Sequence, residues 1–118
     1  MKTKNKPYDL EKRTLEFAKD VIRLCKSLPK NIISTKIISQ VVRSSGSVGA
    51  NYREANEKLS KKDFIHRMRI ARKECKETSY WLELLKEIGE DFMDDINACM
   101  KESQELRSIF TAIIDKTK

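Results

Sequence analysis

The stretch Val42–Ala55, VRSSGSVGANYREA, is the part of this chain on which its architecture turns. Its small residues, with two of the chain's three glycines at positions 46 and 49, suit a loop. Its periodicity suits a helix. Through it and on both sides of it, Ile37, Val41, Ser45, Val48, Tyr52, Ala55 and Leu59 recur at steps of three and four. A glycine inside a helix costs about 1 kcal/mol relative to alanine. A loop at Ser44–Ala50 would avoid that cost, but it would break the register and leave two short helices held by packing alone. The register therefore predicts one long second helix, starting near Ile32 to Thr35. Its small residues would let a neighbouring backbone approach closely.

The same spacing continues on either side. A first helix is expected from Tyr8 or Asp9, with Asp9 as N-cap, along Leu10, Thr14, Phe17, Val21, Leu24 and Leu28. Ala18, Ile22 and Cys25 widen that stripe. Pro29 ends the helix, because the residue before a proline is pushed out of the helical region. Ser60-Lys-Lys-Asp63 has the form of a capping box and opens a third helix. Its stripe is Phe64, Met68, Ala71, Cys75, Thr78, Leu82 and Leu85, and Gly89 is placed to stop it. Glu90 and Asp91 suit the start of a fourth helix, along Phe92, Ile96, Cys99, Ser103, Leu106, Phe110 and Ile113. The fold class predicted is all-α: an antiparallel up-down-up-down four-helix bundle with helices of about 20 to 28 residues. Residues 1–7 read as a disordered basic arm and residues 8–118 as a single bundle domain. At this length a chain buries roughly 65% of its extended surface, enough for one core. Ile38, Val42, Tyr80, Trp81, Leu84, Ile109 and Ile114 fall off the main stripes, and this second partial stripe points to a subunit interface in a homo-oligomer.

The net charge is +7 and uneven. Residues 1–57 carry 12 Lys/Arg against 6 Asp/Glu, residues 58–76 carry 8 against 2, and residues 77–118 carry 5 against 10. Two readings are open. The basic part is a polyanion-binding face, or the acidic last third packs beside it within the chain or across an interface. The candidate nucleic-acid-binding residues are Arg43, Arg53, Lys58, Lys61, Lys62, Arg67, Arg69, Arg72, Lys73 and Lys76. Positions 62, 69, 73 and 76 lie close to one face of the third helix and 61, 65, 68 and 72 on another, so the charge is expected to wrap around it. Lysine-rich contact of this kind reads phosphate rather than base identity. The plainer alternative is a solvated helix with pairs such as Lys73–Glu77.

Chemical signatures are missing. Cys25, Cys75 and Cys99 form no CxxC pair, and His66 is the one histidine, so no metal site or cofactor is expected. Small buried thiols suit a reducing cytoplasm. No apolar run follows the basic start, and none approaches a membrane span, so neither a signal peptide nor membrane association is expected. Paired Glu-x-x-His motifs, a phosphate-cradling GxxxxGK[ST] loop and an arginine four to seven residues before His66 are all lacking. These absences make an enzyme an unfavoured reading. Asn51 and Glu54 lie beside the second-helix stripe, where they could bond across to Arg72 or Tyr80 and fix the register.

The run from Arg43 through Asn51 to Glu54, then Ser60-Lys-Lys-Asp-Phe64, then Ile70-Ala-Arg-Lys-Glu74, Glu77-Thr78 and Tyr80-Trp-Leu82, resembles the four-helix-bundle family of 23S ribosomal RNA intervening-sequence proteins. The likeness spans about Tyr8 to Ile113. It implies an up-down-up-down bundle assembling into a ring-shaped homopentamer. A related branch is similar to the accessory variability proteins of diversity-generating retroelements, basic pentamers that bind nucleic acid and a reverse transcriptase. The functional expectation is a non-enzymatic oligomeric bundle that binds RNA or DNA through phosphates. The alternative is a protein-interaction scaffold or accessory subunit, for example of a reverse transcriptase.

Overall fold

The computed structural model describes residues 9–57 and 60–118. The predicted arm at residues 1–7, the helix start at Tyr8, and Leu59 and Lys58 lie outside them. Four helices run in order: α1 (Leu10–Ser27), α2 (Ile32–Ala55), α3 (Lys61–Leu85) and α4 (Met93–Thr117), with a short 3-10 turn at Glu90–Phe92 before α4. No strand is present among the described residues. Helix α2 packs on α1 and α3, α3 on α4, and α1 closes the bundle loosely against α4.

The long second helix forms as its periodicity requires. It runs unbroken through the small-residue stretch and buries Val41, Ser44, Ser45, Val48, Gly49, Tyr52 and Ala55. Its start is fixed by a feature of the link that hydrophobic periodicity does not reveal. The Asn31 side chain accepts from the Ser34 N–H at 2.9 Å, and the Ser34 hydroxyl accepts from the Asn31 N–H at 2.8 Å, a reciprocal capping box. The Lys30 ammonium closes the preceding end, donating to the Cys25 carbonyl at 2.7 Å and to that of Leu28, where exposed carbonyls at a helix C-terminus favour a cation. Ser60 caps α3 by accepting from the Asp63 N–H at 3.2 Å. Asp9 occupies the N-cap position of α1 but makes no side-chain cap bond.

Polar residues on the apolar stripes are satisfied locally. Thr14 donates to the Leu10 carbonyl at 2.7 Å. The hydroxyls of Thr78 and Ser44 meet at 2.8 Å across the α2–α3 seam, and Ser79 and Ser103 bond across α3–α4. Small hydroxyls thus allow close helix approach while keeping their own hydrogen bonds. Phe17, Met68, Leu82 and Phe110 fill the core, and Tyr52 stacks on Phe110 with ring centroids 5.9 Å apart.

Several expectations need correction. Helix α1 has 18 residues, shorter than expected. Ile22 is 44% exposed and does not widen its stripe. Ile114 is fully buried while Ile113 is only half-buried, because the last step of the α4 stripe is four residues and not three. Phe92 lies in the 3-10 turn and not in α4. Helix α3 stops at Leu85, four residues before Gly89. Gly89 has φ −119°, so no left-handed cap requires it. Space is tight there instead: a Cβ would stand 3.0 Å from Leu28 Cδ2 and 3.1 Å from Ile96 Cδ1.

The three thiols are free and buried. Burial pushes Cys25 and Cys99 up to about 11 and Cys75 up to about 12, from an ordinary 9.0. The folded state therefore keeps its thiols protonated where the unfolded chain has ionised them. Their contribution is fully present below pH 9 and is lost as pH rises toward 11–12. Native protein at about pH 8 should accordingly resist alkylation by iodoacetamide, while urea-unfolded protein should take up label at all three sites; mass spectrometry reads the count.

Candidate nucleic-acid interface

The ten candidate cations do not act as one group. Two turn inward from α3. Arg67 donates to Asn51 Oδ1 at 3.2 Å, which makes Arg67, and not Arg72 or Tyr80, the partner of Asn51. Arg72 donates to Thr111 at 3.3 Å on α4. Arg43 reaches across from α2 to Glu74 at 3.5 Å and Glu77 at 3.3 Å, and Lys73 lies 4.0 Å from both carboxylates. The Lys73–Glu77 pair anticipated from spacing is therefore present. Arg53 is exposed, with its guanidinium 3.5 Å from the Glu11 carbonyl. Lys58 lies outside the described residues. Glu54 is exposed.

The charge does not wrap around α3 as expected. The face carrying 61, 65, 68 and 72 turns toward the bundle from Ile65 on, with Met68 completely buried, and only Lys61 at its start is exposed. The basic side chains left outward form a line. Lys62, His66, Arg69, Lys73 and Lys76 are all exposed, and their spacing of 4, 3, 4 and 3 places them along one side of the helix. The line is about 21 Å long at roughly 1.5 Å per residue. Lys61 and Ile65 flank its start, forming with Lys62, His66 and Arg69 a shallow hollow. One step beyond Lys76 stands Tyr80, 59% exposed, its ring in edge-on contact with Trp81 at a centroid distance of 5.3 Å. His66 and Tyr80 are not among the candidates that charge alone selects. The i, i+4, i+7, i+11, i+14, i+18 spacing that joins them to the lysines is the signal in the sequence that marks them.

The acidic last third is partly used inside the fold. The Arg13 guanidinium on α1 forms a two-pronged pair with Glu102 at 2.7 and 2.9 Å and also meets Glu105 at 2.9 Å, both on α4. The Glu102 hydrogen bond outweighs partial burial and raises the Arg13 pKa further. Some of the charge asymmetry is thus intramolecular, while among the described residues the outward side of the α3 line is left open to solvent. Arg43→Gln tests this division. It should lower stability by about 1 kcal/mol in urea, because Glu74 is buried and loses a partner, and it should change nucleic-acid affinity less than Lys76→Gln does.

Among the described residues no three His, Cys, Asp or Glu side chains converge as a metal site, and no helix is long and apolar enough to cross a membrane. A family model described as 23S rRNA-intervening sequence protein matches residues 6–112. A crystal structure from Bacteroides thetaiotaomicron VPI-5482, described as a protein of unknown function from the S23 ribosomal protein family, is 33% identical. The match covers 88% of this chain and 96% of that one, with a TM-score of 0.77. No curated protein matches the chain.

Proposed function

The chain belongs to the family of 23S rRNA-intervening sequence proteins, and from that premise we propose that it is a non-enzymatic helical module that binds nucleic acid through backbone phosphates. The observation that carries this reading is the exposed line Lys62, His66, Arg69, Lys73 and Lys76 on α3. The lysines and the arginine of this row, on a rigid helix, neutralise phosphates without reading base edges, so affinity is set by charge and salt more than by sequence. The net charge of +7 adds long-range attraction. Fluorescence anisotropy with labelled RNA and DNA at about 50 mM salt should show binding that varies little with sequence and weakens steeply with added salt. No binding to either polymer at that salt would overturn the reading.

A second reading rests on apolar exposure. Leu15 and Ile22 lie seven residues apart on the outer side of α1, 42% and 44% exposed, and Ile32 and Ile33 at the start of α2 are 80% and 65% exposed. Such surface favours self-association or a protein partner. A homo-oligomer such as a pentamer would repeat the α3 line on each subunit and multiply its avidity. Light scattering that returns a 13.8 kDa monomer would remove the oligomer, and nuclease-insensitive recovery of a partner would favour the scaffold role.

A further inference from the structure

Beyond Lys76 the α3 line changes character. The next position on it is Tyr80, then the half-buried Leu84, then the exposed Glu87. Lys86, the first cation after Lys76, pairs with Glu83 at 3.3 Å. A phosphate track therefore ends at Lys76, and past that end stands a neutral, outward ring bounded by carboxylates. A phosphate fits poorly there; the face of a nucleobase fits well, because stacking needs an exposed ring and no counter-charge. The ring also has an aromatic neighbour. Trp81 meets it edge-on at 70° between planes. Trp81 in turn lines a hollow of α2 with Thr35, Lys36, Ile37, Ser39 and Gln40. Ile37 gives that hollow an apolar wall, the hydroxyls and the amide give it polar edges, and Lys36 puts a cation on its rim.

Resting on the phosphate-binding reading above, we infer that Tyr80 and Trp81 form a stacking platform for an unpaired nucleotide, so that the α3 surface takes a single-stranded segment whose backbone lies along Lys62–Lys76. A duplex offers its phosphates to the same cations. Its bases are already stacked and paired, and it has none to give to Tyr80. The platform thus adds affinity for unpaired strand on top of a track that binds either form.

Trp81 is the only tryptophan in the chain, so its fluorescence reports on the platform directly. Wild type and Tyr80→Ala would be titrated with an oligouridylate of about 12 nucleotides, within the site sizes usual for single-strand binding, and with a blunt RNA duplex of the same length. Single strand should quench Trp81. Its affinity should fall roughly ten-fold in Tyr80→Ala, the loss usual for one stacked base, and be restored in Tyr80→Phe. Duplex affinity should be the same in all three proteins. Equal single-strand affinity in wild type and Tyr80→Ala, or an equal loss for duplex, would overturn the platform and leave the phosphate track standing. Failure of the wild type to bind either oligonucleotide would remove the track and the platform with it. Tyr80 is mostly exposed, so its substitution should leave the fold intact, which circular dichroism checks; light scattering should give the same mass for wild type and Tyr80→Ala, and a smaller mass for the variant would assign the ring to the subunit interface and overturn the platform.

Discussion

Gly49→Val is expected to destabilise the protein by about 2–3 kcal/mol, while Gly46→Ala, three residues away on the same helix, is expected to stabilise it by about 0.5–1 kcal/mol. The two glycines look alike in sequence. A Cβ on Gly49 would stand 2.9 Å from Thr14 Oγ1 and 3.2 Å from Thr14 Cβ, whereas a Cβ on Gly46 meets nothing within 4 Å. Thr14 cannot easily give way. It is β-branched and fully buried, and its hydroxyl is held by the Leu10 carbonyl at 2.7 Å. Overpacking at 49 therefore exceeds the small gain in helix propensity that valine brings. At 46 only the propensity gain remains. Urea unfolding should move the midpoint of Gly49→Val down by roughly 1–2 M with little change in slope. Pairing it with Thr14→Ala should recover at least about 1 kcal/mol, since the two side chains compete for one space. Independent losses in that cycle would mean that the α1–α2 approach is not what position 49 protects.

The second large effect is on binding. Replacing Lys62, Arg69, Lys73 and Lys76 together with glutamine should cost on the order of 10²–10³ in affinity for RNA or DNA near 0.1 M salt, and at similar cost for every sequence tried. All four are exposed, so the variant should fold with near-native stability, although Lys73 gives up weak 4.0 Å pairings with Glu74 and Glu77. A matched variant of inward-turned cations provides the contrast. Arg67→Gln and Arg72→Gln break hydrogen bonds to Asn51 and Thr111 and should be felt in urea more than in binding.

The four-helix architecture was legible because core periodicity is strong and local. The stripe through Val41, Ser45, Val48 and Tyr52 outweighed the loop-like composition of Val42–Ala55, and the buried positions follow it. Features that depend on two elements at once stayed hidden. The Asn31–Ser34 box lies in a link that hydrophobic spacing skips. The role of Gly89 depends on Leu28 and Ile96 from other parts of the chain. The candidate site was legible as a charge excess but not as a surface. Which cations are engaged by the fold is decided by what the neighbouring groups offer them: Asn51 to Arg67 and Thr111 to Arg72, which turn inward, and Glu74 and Glu77 to Arg43, which stays exposed. Only the packed helices separate the outward line Lys62, Arg69, Lys73 and Lys76 from Arg67 and Arg72, which turn inward, and from Arg43, which is exposed but paired.

Whether the exposed line on α3 is a phosphate track is decided by the salt dependence of binding. Affinity for a single-stranded RNA would be measured by anisotropy across a series of salt concentrations, for the wild type and for the variant lacking Lys62, Arg69, Lys73 and Lys76. Each phosphate contact contributes about 0.7 to the slope of log affinity against log salt. If these four side chains hold phosphates, the variant's slope is shallower by roughly 3. Equal slopes for the two proteins would refute the track and place the phosphate contacts elsewhere on the bundle.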